Sequence, residues 1–75
     1  MQKRNPVFVA FGQNVRRERE AKAFTQEVLA ERAGLDRTYI SGVERGVRNL
    51  SIASMVSIAR ALGTTVSGLS KGIEG

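Results

Sequence analysis

Residues 25–48 read TQEVLAERAGLDRTYISGVERGVR and have the pattern of two short helices joined by a tight turn. Thr25 is a favourable N-cap residue for the first of these helices, and Asp36 is one for the second. Gly34 lies between them, where the end of a helix often requires a left-handed backbone that a side chain would strain. The pattern therefore predicts one helix after Thr25 and another that spans residues 37–45.

Small and apolar residues in this segment have the spacing of a helix-turn-helix. Ala30, Gly34, Ile40 and Val43 are separated by four, six and three positions. The small side chain of Ala30 fits this spacing, because the two helices are expected to cross closely at this position. Ile40 and Val43 point inward in this arrangement. The opposite side of the second helix is then free to enter the major groove of DNA.

Gly42 is unexpected in the interior of the second helix, because glycine there costs about 1 kcal/mol relative to alanine. One explanation is that the backbone at this position comes close to a base or sugar. The other is crowding against a neighbouring helix, and both rely on the missing side chain. The positions predicted to face outward are Arg37, Thr38, Tyr39, Ser41, Gly42 and Arg45.

A further helix is predicted before this pair, because Asn5 and Pro6 have the N-cap and first-position preferences of a helix start. It is expected to end near Lys22. Its apolar face is predicted to consist of Phe8, Phe11 and Val15.

Two more helices are predicted after the pair. The fourth has Ser51 as its N-cap and ends at Gly63. A short fifth helix begins at Thr64 or Thr65 and ends near Ser70. The buried face of the fourth helix is predicted to consist of Ile52, Met55, Ile58, Ala59 and Leu62.

The chain has 75 residues, which allows one small domain. We assign residues 6–70 to this domain, residues 1–5 to an N-terminal arm and residues 71–75 to a tail that frays. Twelve Lys and Arg residues against seven Asp and Glu give a net charge of +5. Such a balance favours a polyanionic partner, and a merely solvated basic surface is the alternative.

The composition also excludes several classes of protein. The sequence has no Cys and no His, which excludes disulfides and a Cys/His zinc site, so we expect neither a metal nor a cofactor. It has no Gly-rich phosphate loop, so we do not expect an enzyme. No apolar run approaches the roughly 18 residues of a membrane span. A cytoplasmic protein without membrane contact is the simplest interpretation.

Four motifs make the chain resemble a known family between residues 11 and 69. They are FGQNVRRER at 11–19, TQEVLAERAGL at 25–35, YISGVERG at 39–46 and SIASMVSIARALGTTVSGL at 51–69. Together they resemble the Cro/C1-type helix-turn-helix regulators of bacteria and phages. LDRTYISGVERGVRNLS, residues 35–51, is most similar to the controller proteins of restriction-modification systems, which are small dimeric activators and repressors.

The resemblance implies an all-α, five-helix, lambda-repressor-like domain that binds double-stranded DNA as a homodimer. RNA polymerase is a further candidate partner, because a regulator bound just upstream of a promoter could recruit it. Residues that match base-contacting positions of the family are Arg37, Thr38, Tyr39 and Ser41, and Arg37 is the best candidate for bidentate bonding to guanine. Residues that match DNA-backbone contacts are Gln26, Arg45, Arg48 and Asn49.

The same resemblance implies two further groups of residues. Val56, Val66 and Leu69 are candidates for the dimer interface, and core packing is the alternative for Val66 and Leu69. Arg19 and Glu44 match an ion pair that ties the first helix to the third. Such a pair is important for stability if it is partly buried, and it contributes less than about 1 kcal/mol if it is exposed.

A protein-binding module, such as an antitoxin whose helix-turn-helix holds a partner protein, is the main alternative function. It would show a large apolar surface patch outside the dimer contact. The sequence has no long exposed apolar face, which favours the DNA-binding interpretation.

Overall fold

The computed structural model describes residues 5–73, which form five α-helices and no strand. The predicted five-helix, all-α fold is therefore confirmed. The helices are α1 (Pro6–Ala21), α2 (Gln26–Ala33), α3 (Arg37–Arg45), α4 (Ile52–Ala61) and α5 (Val66–Leu69). Most of the predicted arm, residues 1–4, lies outside the described residues, as do residues 74–75 of the predicted tail.

The helices begin where their N-cap residues predict. The side chains of Asn5, Thr25, Ser51 and Thr65 each accept a hydrogen bond from a backbone N–H in the first turn that follows. Asp36 also occupies the N-cap position of α3, but its side chain makes no capping hydrogen bond. Its exposed carboxylate still lies at the positive end of the helix dipole, which favours a negative charge.

The turn between α2 and α3 depends on Gly34. This residue has φ = 69° and ψ = 32°, in the left-handed region, and its N–H donates to the carbonyls at the end of α2. A residue with a Cβ is strained in this conformation. The glycine therefore ends α2 and lets the chain turn toward the start of α3 within a few residues, as predicted.

The core lies where the five helices meet, and it is apolar. Of the inward-facing residues predicted for α1 and α3, Val15 and Ile40 have no exposed surface, and Phe11 and Val43 are also buried. Phe8, in the first turn of α1, is an exception to the prediction, because it is half-buried and lies outside the buried core. The buried hydrophobic residues are Phe11, Val15, Leu29, Ala30, Ile40, Val43, Ile58, Ala59, Leu62 and Leu69.

Gly12 allows α1 and α3 to approach each other closely. A Cβ built on Gly12 would overlap the carbonyl oxygen of Val43 and lie 2.9 Å from that of Glu44. A close helix crossing was predicted at Ala30, which is 3% exposed, whereas the one at Gly12 was not predicted. This glycine brings the backbone of α3 against α1 and so helps to set the position of α3 on the domain.

The predicted buried face of α4 was wrong at Ile52, which is 76% exposed. Ile52 is the first residue of α4 and lies two turns before Ala59, on the same side of the helix. Because Ala59 is buried, the exposure of Ile52 means that the first turn of α4 extends beyond the helices that cover the rest of this face.

Residues 71–73 are held against the domain and do not form the frayed tail that was predicted. The side-chain amide of Asn14 donates hydrogen bonds to the carbonyls of Leu69, at 2.7 Å, and Lys71, at 3.1 Å. Ile73 packs against the hydrophobic core. A polar residue of α1 therefore anchors the chain after α5, and no pattern in the sequence indicated this contact.

Within residues 5–73, no helix has both the length and the apolar character that crossing a bilayer requires.

Candidate nucleic-acid interface

The outer side of α3 is open to solvent over most of its length. Arg37, Thr38 and Arg45 are exposed and Ser41 is half-buried, whereas Ile40 and Val43 on the inner side are buried. The Nε of Arg45 donates to the carbonyl of Ser41 at 3.4 Å, one turn earlier in the same helix. The helix is thus anchored by its apolar side, and it presents an arginine at each end of a polar surface.

Tyr39 differs from its neighbours on α3 because it is half-buried and bonded to its own chain. Its hydroxyl donates a hydrogen bond to the carbonyl of Asn49 at 3.1 Å, and its ring packs against the hydrophobic core. A phenol has a single O–H donor, and a phosphate oxygen can only accept. Tyr39 can therefore bind a phosphate only after releasing Asn49, although its oxygen can still accept from a base.

Gly42 is buried and does not face outward as predicted. A Cβ built on it would overlap the Cγ of Arg48 and lie 3.4 Å from Cδ and Nε. The crowding at this position thus comes from a side chain of the loop after α3 and not from a neighbouring helix. The guanidinium carbon of the exposed Arg48 lies 5.5 Å from the centroid of the Tyr39 ring, in the range of a cation–π contact.

Arg19 and Glu44 form the ion pair that the family resemblance implies. Arg19 Nε lies 2.6 Å from Glu44 Oε2, and Nη2 lies 3.1 Å from Oε1. The Arg19 side chain is 13% exposed and that of Glu44 is 4% exposed, so the pair is largely buried. The hydrogen bond to Glu44 raises the pKa of the Arg19 guanidinium above its usual value, against the smaller opposite effect of burial.

Gln26, predicted only as a contact to the DNA backbone, belongs to the same network. Its side-chain Nε2 donates to Glu44 Oε1 at 3.1 Å. A primary amide has two N–H donors, so one remains for a second acceptor while Glu44 holds the other. Gln26 is the first residue of α2, and the hydrogen bond to Glu44 therefore orients its side chain.

An open cleft of about 440 Å³ connects the start of α2 with the start of α3. Arg37 and the first turn of α2 favour an anion there and Glu27 opposes one, whereas the charge of Arg19 is balanced by Glu44. The residues that line the cleft are Arg19, Thr25, Gln26, Glu27 and Arg37. The predicted contacts Gln26 and Arg37 are thus brought to one side of the domain.

A comparison with known families supports this arrangement. The family model HTH_3, described as helix-turn-helix, matches residues 15–69. The chain belongs to the helix-turn-helix family. In this helix-turn-helix protein, α2 and α3 form the motif, and the match extends from α1 to the end of α5.

The relatives of this helix-turn-helix protein include controller proteins, so the predicted resemblance is confirmed. Control protein C.BamHI of Bacillus amyloliquefaciens is 47% identical over 60 residues, which cover 79% of this chain and 74% of that protein. The crystal structure of the restriction-modification controller protein C.AhdI from Aeromonas hydrophila has a TM-score of 0.81 and 47% identity, covering 83% of this chain and 94% of that one.

A third comparison concerns the restriction-modification controller protein C.Esp1396I, crystallised as a tetramer in complex with its natural 35 base-pair operator. It has a TM-score of 0.77 and 39% identity, and the match covers 81% of this chain and 80% of that one. The fold shared by the two chains therefore exists in a solved complex with DNA.

The candidate dimer residues of this helix-turn-helix protein lie in different surroundings. Leu69 has no exposed surface and belongs to the core of its own chain, as the core-packing alternative held. Its side chain is thus not available to a partner in this conformation. Val66 is half-buried and packs against the core, and Val56 is half-buried on α4. Val56 and Val66 therefore remain the predicted interface residues.

The exposed apolar surface of this helix-turn-helix protein is small. Among residues 5–73, the large hydrophobic side chains that are exposed are Val7, at 42%, and Ile52, at 76%. Single apolar residues are normal on protein surfaces, whereas a docking surface for another protein requires a contiguous patch. In the part of the chain that the structure describes, these two exposed side chains do not by themselves form the large patch expected for the protein-binding alternative.

Proposed function

We propose that this protein is a sequence-specific DNA-binding regulator of transcription. It binds a pseudo-palindromic operator as a homodimer, and one α3 enters the major groove at each half-site. The observation that carries this proposal is the asymmetry of α3, whose inner residues Ile40 and Val43 are buried while Arg37 and Thr38 are exposed. The likeness to a controller protein crystallised with its operator supports the same function.

The polar residues of the motif divide into two roles in this proposal. Arg37, Thr38 and Ser41 contact base edges, with Arg37 bonding to guanine O6 and N7. Tyr39 contributes only as an acceptor while its hydroxyl donates to Asn49. The DNA backbone is contacted by Gln26, Arg45, Arg48 and Asn49. The Lys and Arg residues that give the net charge of +5 supply most of the affinity by neutralising phosphates, whereas the neutral Gln26 and Asn49 only hydrogen-bond to the backbone.

Whether the protein activates or represses transcription depends on where the operator lies. A dimer bound over a promoter blocks RNA polymerase, and one bound just upstream recruits it. The control and controller proteins among the relatives favour a restriction-modification operon as the target.

Selection from a randomised duplex library tests this function directly. Duplexes with about 25 random base pairs are incubated with the protein at about 0.15 M salt, and the bound fraction is amplified and sequenced over several rounds. We expect a two-fold symmetric motif whose half-sites are roughly 34 Å, or one helical turn, apart. A bound fraction with no enriched motif would mean that the protein binds charge alone, and absence of binding would reject DNA as the partner.

A further inference from the structure

Gly42 and Arg48 are complementary in shape. The side chain of Arg48 crosses the surface of α3 at the position where Gly42 has none, and a Cβ there would overlap the Arg48 Cγ. Glycine in the interior of a helix is unfavourable relative to alanine. Gly42 therefore lowers the intrinsic stability of α3 at the point where the helix accommodates Arg48 from the following loop.

Tyr39 holds the other end of the same side chain. Its ring lies under the Arg48 guanidinium at 5.5 Å, and its hydroxyl donates to the carbonyl of Asn49, the next residue of the loop. Arg48 is thus restrained at its methylene groups by Gly42 and at its charged group by Tyr39. Its guanidinium remains exposed, so it keeps donors for an external acceptor.

An arginine that is ordered before binding loses less entropy when it binds. Immobilising a long side chain at an interface costs roughly 0.5–1.5 kcal/mol, which corresponds to about two- to tenfold in affinity. A free arginine on a loop would bear this cost on contact with DNA. In the observed arrangement, part of the entropy cost of ordering Arg48 has already been incurred when the protein folds.

We propose that Gly42 is a positioning residue for Arg48, and that it increases DNA affinity by making room for the arginine to lie on Tyr39. This inference rests on the proposed function. It differs from both explanations that the sequence offered for Gly42, because the missing side chain accommodates neither a base nor a neighbouring helix. Gly42 itself does not contact the DNA.

A double-mutant cycle separates this role from a direct approach of Gly42 to DNA. The proteins compared are wild type, Gly42→Ala, Arg48→Ala and the double variant. The probes are the duplex selected by the wild type and a mixed-sequence 25-base-pair duplex. The Arg48 atoms nearest to the new Cβ are Cγ, Cδ and Nε. Alanine at position 48 removes all three, so the clash disappears in the double variant.

We expect Gly42→Ala to weaken binding to both duplexes by roughly two- to tenfold in the wild-type background. The same substitution should have no effect in the Arg48→Ala background. The melting temperature of Gly42→Ala should stay within a few degrees of the wild type or rise, because alanine favours the helix. Equal loss of affinity in both backgrounds would show that Gly42 faces the DNA directly, and unchanged affinity in the wild-type background would also overturn the proposal.

A second measurement does not depend on how Gly42→Ala folds. In the free wild-type protein, the Cδ protons of Arg48 should be shifted upfield in the NMR spectrum by the ring current of Tyr39. The shift should be lost in Tyr39→Leu. If these protons have random-coil shifts in the wild type, Arg48 is not held and the proposal is wrong. A wild type that binds neither duplex would reject the proposed function, whereas the shift reports on the arrangement alone.

Discussion

Arg19 of α1 and Glu44 of α3 are 25 positions apart in the sequence and are joined by two hydrogen bonds of 2.6 and 3.1 Å. Each residue of the ion pair also forms a hydrogen bond with a further segment of the chain. The Nη1 of Arg19 donates to the carbonyl of Phe24 at 2.7 Å, and Oε1 of Glu44 accepts from Gln26 at 3.1 Å. One ion pair therefore connects α1, the chain before α2, the start of α2 and α3. It fixes the two helices of the motif to the rest of the domain.

We expect Glu44→Ala to lower the free energy of unfolding by about 3 kcal/mol, because it leaves the largely buried Arg19 without its partner. The change is measured by urea unfolding. The control is Arg16→Ala, which breaks the ion pair between Arg16 and Glu20, whose side chains are 64% and 56% exposed. That variant should lose less than about 1 kcal/mol. Equal losses in the two variants would mean that burial does not matter at the Arg19–Glu44 pair.

Gly12→Ala should destabilise the protein by about 1–3 kcal/mol, because the new methyl group would overlap the backbone carbonyl of Val43. Backbone at a helix contact cannot move aside as a flexible side chain can, so α1 and α3 must separate. Thermal unfolding checks the effect. Gln13→Ala, at the exposed neighbouring position, is the control and should change stability by less than about 0.5 kcal/mol. A Gly12→Ala variant as stable as the control would contradict the packing described for this contact.

Features that depend on neighbouring residues in the sequence were predictable. The N-caps at Asn5, Thr25 and Ser51 and the turn at Gly34 are local, because each is determined by the backbone within a few residues. The inward-facing residues Ile40 and Val43 of α3 were also predicted from their spacing. The ion pair between α1 and α3 required the resemblance to a family, since nothing local connects its two members.

Features that depend on which segments meet were not predictable. Periodicity places Ile52 on the same side of α4 as Ala59, but it cannot show where the covering helices end. The contacts of Gly12 and Asn14 each involve a residue from a distant part of the chain, and that of Gly42 involves a loop side chain whose course periodicity does not show. A glycine or an asparagine in a helix signals that something unusual occurs there, and only the packed structure identifies the partner.

Val56→Lys should shift the protein from dimer toward monomer, if Val56 lies in the predicted interface. Val56 is half-buried on α4, and a lysine in an apolar contact with a second copy would be desolvated and would meet the same charge across the two-fold axis. Sedimentation at several protein concentrations measures the change. Gln13→Lys adds the same charge at an exposed position of α1 and should leave the assembly as it is. Identical sedimentation of the two variants would exclude Val56 from the interface.

Arg37 and Arg48 provide a test of the division between base and backbone contacts, because each is exposed and neither belongs to the core. Arg37→Ala should cost about 1–3 kcal/mol on the selected duplex and relax the base preference at one position of each half-site. Arg48→Ala should weaken binding to all duplexes similarly and reduce the slope of log affinity against log salt concentration by about one.

Both properties are measured by fluorescence anisotropy on the selected duplex and on duplexes with one changed base pair, across a range of salt concentrations. Each arginine serves as the control for the other, since both substitutions remove one positive charge. If Arg37→Ala leaves every base preference intact and changes only the salt dependence, Arg37 contacts phosphate. The exposed face of α3 would then bind DNA without reading its sequence through this residue, and the groove-facing role proposed for the start of α3 would be wrong.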